Sequence, residues 1–86
     1  MKHEIIALIY QLAEEPDSEE REKISIRLSF KIPLLKTVNS NEGHSEKYKI
    51  AKSIKEFSTN PDSINRNRLL SLIDDIEFKF TDGIHN

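Results

Sequence analysis

Six acidic groups crowd into residues 14–22 (Glu14, Glu15, Asp17, Glu19, Glu20 and Glu22), and four lysines with no acid occupy residues 47–55 (Lys47, Lys49, Lys52 and Lys55). These are the densest collections of chemically active side chains in the chain. The acidic run, Asp17-Ser-Glu-Glu-Arg-Glu, lacks the alternating ligands and central glycine of a calcium loop. His3, His44 and His85 stand far apart, and none has a second ligand three or four residues away on one helix, so no zinc site is expected. Asp74, Asp75 and Glu77 lie beside the apolar stripe of a helix, where a solvated face is the ordinary role. Glycine occurs only at Gly43 and Gly83, so there is no loop to cradle a phosphate. Without cysteine there is no thiol nucleophile, disulfide or thiolate metal ligand. The chain reads as a binding protein, not an enzyme, with no cofactor.

The elements that carry these residues follow from periodicity. Ile5, Leu8, Ile9 and Leu12 form one helical stripe, and Ile50, Ala51, Ile54 and Phe57 another. Sliding the sequence on itself by 45 residues superposes Pro16-Asp17-Ser18 on Pro61-Asp62-Ser63, Arg21 on Arg66, Lys23 on Arg68 and Ile24 on Leu69. Ile5, Ile9 and Leu12 meet Ile50, Ile54 and Phe57 in the same alignment. Each copy is an amphipathic segment, a Pro-Asp-Ser stop and a second amphipathic segment. The copies are either a duplication or the same capping chemistry arising twice.

Proline pushes its preceding residue out of the α region, and Asp or Ser then caps the next helix. Glu20 stands at capping-box spacing from Asp17, and the second copy has Asn65 there, which predicts a weaker cap. The last stripe is Leu69, Leu72, Ile73 and Ile76.

Eighty-six residues make one domain. The expected class is all-α: an antiparallel four-helix bundle of two similar αα-hairpins, residues 3–35 and 46–80, with a polar link at 36–45 and a tail at 81–86. Ser45 is the expected cap of the third helix. One segment allows another reading. Ile24-Ser-Ile-Arg-Leu-Ser-Phe-Lys-Ile32 alternates at the strand period, as does Ile76-Glu-Phe-Lys-Phe80. The alternative is an α+β domain with a two-stranded ribbon from 24–32 and 76–81, although an isolated ribbon is marginal.

The net charge is −2, which gives no general pull towards nucleic acid, and no arginine-rich recognition helix is present. The apolar run Ile5–Ile9 is too short for a signal peptide or a membrane span. A cytoplasmic protein is expected. The lysines suit anionic headgroups, an acidic protein surface or phosphates, against the ordinary role of a solubilising face. Phe78 and Phe80 end the last helix, and either one, if exposed, is an anchor for a partner. Lys47, Lys49, Lys52, Lys55, Phe78 and Phe80 are therefore the candidate contact residues for a protein partner. A third reading is a self-associating structural module whose two hairpins pair with another copy.

Leu8-Ile9-Tyr10-Gln-Leu12, then Glu19-Glu20-Arg21-Glu22, and near the end Asn60-Pro-Asp-Ser before Arg68-Leu69-Leu70-Ser-Leu72-Ile73 resemble, in order and size, the immunity proteins of pediocin-type (class IIa) bacteriocins. The resemblance spans most of the chain. It implies an antiparallel four-helix bundle in the cytosol of a producing bacterium. It also implies protection exerted at the bacteriocin's receptor, a membrane sugar permease, with the C-terminal part setting specificity. The lysine face and Phe78–Asn86 would then be the contact regions. From a different class, the alternative is a small adaptor or phage-encoded inhibitor that binds an intracellular enzyme or defence protein.

Overall fold

The computed structural model describes residues 2–38 and 43–81. Helix α1 runs Lys2–Glu14, α2 Ser18–Lys31, α3 Gly43–Thr59 and α4 Ser63–Lys79. A 3₁₀ turn at Ile32–Leu34 follows α2. Strand β1 (Lys36–Thr37) pairs antiparallel with β2 (Phe80–Thr81). Each helix packs against its neighbours in sequence, and α1 closes the ring against α4. The result is an antiparallel four-helix bundle of 40 × 20 × 16 Å with a two-residue ribbon at one end.

The core is aliphatic with two aromatics. Ile5, Ile9 and Leu12 from α1 meet Ile24 and Leu28 from α2, Ile50, Ile54 and Phe57 from α3, and Leu69, Leu72 and Ile76 from α4. Ile32, Leu35 and Phe80 close the ribbon end. Burial of this kind supplies the main stabilisation, at about 1.5–3 kcal/mol for each large side chain.

Residues 24–32 are helical up to Lys31, and Ile32 opens the 3₁₀ turn, so the alternating pattern does not make a strand. Ile24, Leu28 and Ile32 recur four apart and are buried. A ribbon from 24–32 and 76–81 would leave most of its backbone groups without partners, whereas a helix satisfies them locally. Ile26 and Phe30 then fall on the outer face, 49% and 74% exposed. The ribbon that does form uses β1 from the link instead. Consequently the link is not wholly irregular, and α3 starts at Gly43, which places Ser45 inside the helix and not at its cap. Of the expected link and tail, residues 39–42 and 82–86, with Gly83 and His85, lie outside the described residues.

The 45-residue repeat is a repeat of contacts. Asp17 accepts a hydrogen bond from the Glu20 N–H at 3.0 Å, and Asp62 accepts one from the Asn65 N–H at 2.8 Å, so the second cap is as well formed as the first. Neither is a reciprocal capping box: the Asp17 N–H goes to Glu15, and the Glu20 carboxylate takes Lys23. The Arg21 Nε donates to the Ser58 carbonyl at 3.4 Å, and the Arg66 Nε to the Ala13 carbonyl at 3.4 Å. Ser58 and Ala13 are themselves 45 apart, as are Lys36 and Thr81, which face each other in the ribbon. A pseudo-two-fold axis therefore passes through the ribbon and exchanges the two hairpins. Asp17→Ala and Asp62→Ala should each lower stability by about 1 kcal/mol. Thermal denaturation of the two variants checks that the caps are equivalent.

Candidate functional site

Charged groups gather at both ends of the bundle. At the end holding the α1–α2 and α3–α4 turns lie the acidic groups of 14–22, with Asp62 and the arginines Arg21 and Arg66. Arg21 is buried and spans the carbonyls of Glu15 (3.0 Å), Pro16 (2.8 Å) and Ser58. Arg66 is partly exposed and ion-pairs with Glu14. At the ribbon end, Lys31 bonds to Glu4 at 2.9 Å and holds that carboxylate below its usual range. The buried Glu46 carboxylate is met by Lys79 at 3.3 Å and Lys49 at 3.6 Å, and Lys79 also approaches Asp75.

Lys49, Lys52 and Lys55 are exposed, whereas Lys47 is half-buried. Lys52 and Lys55 are exposed and point away from the core with Tyr48. Lys49 turns towards α4 through Glu46. Lys47 is half-buried on the other flank and donates to the Pro33 carbonyl at 3.0 Å, so its head group braces the 3₁₀ turn. The two phenylalanines part company as well. Phe78 is 77% exposed, whereas Phe80 is buried in the core and presents no contact surface. The helix turns Phe78 outward between Ile76 and Phe80, and β2 turns Phe80 back over the bundle end. Tyr48, 68% exposed, sits at the same end on the neighbouring helix.

The second candidate surface is mainly apolar. A groove of about 360 Å³ runs between α2 and α3, lined by Ser25, Ile26 and Ser29 on one side and by Ala51, Ile54 and Lys55 on the other. Phe30 and Leu34, both well exposed, come next along the chain, on α2 and in the 3₁₀ turn. The pseudo-two-fold axis explains why the groove is there. Its counterpart, between α4 and α1, has Leu70 where α2 has Ser25, Ile6 where α3 has Ala51, and Leu8 where α3 has Ser53. Leu70, Ile6 and Leu8 pack on the core and fill that side. Small side chains leave the α2–α3 side open. The sequence carries the signal for it: the 45-residue alignment together with the outward Ile26 and Phe30 of the alternating segment.

No family model matches this chain, and no curated protein or solved structure matches it either. Among the described residues, no three of His, Asp and Glu are grouped to hold a metal ion, and no helix is long and apolar enough to cross a membrane. His3 is exposed on α1. Asp74 is exposed and Asp75 half-buried beside Lys79. Two surfaces of the described residues are candidates for binding: the ribbon end of α3 and α4, with Phe78, Tyr48 and the lysines, and the α2–α3 groove.

Proposed function

We propose that this chain is a stoichiometric binding protein of the bacteriocin-immunity type, without catalysis of its own, and that it meets its target through the α3–α4 face at the ribbon end. The exposed ring of Phe78 carries this reading. A phenylalanine held outward in the last turn of a helix, between two core residues, gains nothing from the fold. It fits a hot-spot anchor, and Tyr48, Lys49 and Lys52 are exposed on the neighbouring helix α3. The antiparallel bundle supports the reading, because the resemblance implies that architecture and assigns specificity to the C-terminal part.

Protection is the direct test. A sensitive bacterium expressing the chain, challenged with pediocin-type bacteriocins, should survive concentrations that kill the control. Phe78→Ala should abolish that protection while leaving the melting temperature within a degree or two, since exposed substitutions change stability little. Survival no better than the control against every bacteriocin tried would overturn the proposal.

The exposed acid cluster at the opposite end favours a second reading, a small adaptor or phage-encoded inhibitor that offers negative charge to an intracellular enzyme or defence protein. The captured partner separates the two. A membrane permease retained by the wild type and lost by Phe78→Ala supports the immunity type, whereas a soluble enzyme supports the inhibitor.

A further inference from the structure

From the α2–α3 groove we infer that this face binds a second copy of the chain, across a two-fold axis that sets the two α2 helices antiparallel. The inference does not depend on the α3–α4 face or on the function proposed for it. Three observations select this occupant.

The first is the shape of the groove. On the pseudo-equivalent side, Leu70 and Ile6 fill the space that Ser25 and Ala51 leave open, so the groove is apolar and sized for one or two large side chains. The second is that the chain supplies the matching knob on the same surface. Phe30, 74% exposed, stands one helical turn beyond Ile26, which lines the groove. It projects outward from α2, where a second molecule can receive it. A surface carrying both a knob and its hole is self-complementary, as an isologous interface requires.

The third observation is charge. Glu19 and Glu22 are exposed at the start of α2, whereas at its far end Lys36 follows the 3₁₀ turn and Lys47 reaches the Pro33 carbonyl. Antiparallel pairing lays Glu19 and Glu22 of each copy against Lys36 and Lys47 of the other. Parallel pairing would oppose like charges. The long faces of the molecule, 40 Å by 16–20 Å, are comparable to the roughly 800 Å² per partner of a standard interface.

Sedimentation of the full chain from about 1 µM to 1 mM is the test, a range that brackets an interface of this size. The weight-average mass should rise from 10.0 kDa towards twice that value as concentration increases. Phe30→Glu should weaken association by about tenfold or more without unfolding the bundle, because the residue is exposed. A second variant removes the hole and keeps the knob. Ser25→Leu with Ala51→Ile copies the filled side and should abolish the dimer while the melting temperature holds or rises. A wild type that stays at 10.0 kDa throughout overturns the inference. So does a dimer that survives either variant unchanged.

Discussion

Phe80→Ala is expected to destabilise the domain by about 3–5 kcal/mol, a fall in melting temperature of roughly 15–30 °C for a chain of this size. Phe80 is 1% exposed and closes the ribbon end of the core with Leu35 and Ile32. Its removal leaves a cavity between β2 and the ends of α2 and α4, and the two-residue ribbon is too short to collapse into it. The total stability of a domain this small is of the same order as the loss, so the variant should be substantially unfolded at growth temperature. Phe78→Ala, two residues away, removes the same atoms and should shift the melting point by no more than a degree or two. Thermal denaturation of the pair reads the difference directly. A loss at Phe78 as large as that at Phe80 would mean that Phe78 is packed as well.

Arg21→Ala should cost about 2–4 kcal/mol, because three carbonyl groups lose a charged donor in a place water reaches poorly. The guanidinium ties the α1–α2 turn, through Glu15 and Pro16, to the end of α3 at Ser58. Arg21→Lys should recover little, since a single ammonium cannot reproduce the planar fork that spans these acceptors. Arg66→Ala, the pseudo-symmetric counterpart, should cost only about 1 kcal/mol, because its side chain is partly exposed and its Glu14 partner lies in solvent. Urea denaturation of the three variants gives the ranking. Equal losses at Arg21 and Arg66 would show that burial does not set the difference.

Much of the bundle is legible in the order of residues alone. Ile5, Ile9 and Leu12 and their partners Ile50, Ile54 and Phe57 keep a helical period that has no competing explanation, and Pro16 and Pro61 mark both turns. The segment 24–32 is ambiguous because it carries apolar residues on two faces, and period alone cannot tell a strand from a helix with a second surface. Its outward residues, Ile26 and Phe30, have the exposure of a contact surface.

The ribbon is not legible, because a two-residue pairing at Lys36 and Thr37 has no local signature and exists only where the helices deliver its strands. Phe78 and Phe80 differ by the last helical turn, and only the point at which α4 gives way to β2 decides which one faces in. The groove is a relation between helices. It becomes visible when Ser25 and Ala51 are compared with Leu70 and Ile6, not from any one residue. Helical spacing groups Lys49, Lys52 and Lys55 on one face, and Lys47, off that face, turns to the Pro33 carbonyl while Lys49 turns to Glu46.

The ribbon also loosens the link between chain order and shape. By pairing Lys36 with Thr81, it brings the end of α4 to the place where α2 hands over to α3, and the Lys2 ammonium reaches the Glu77 carbonyl at 3.1 Å. The start of the first helix thus lies beside the end of the last, as the start of the third lies near the end of the second. To the packed helices, a chain that began at α3 and ran on through α4 and α1 to α2 would have the same neighbours, the same caps and the same reciprocal arginine ties. The architecture is cyclic, and where the peptide is cut open is incidental to it.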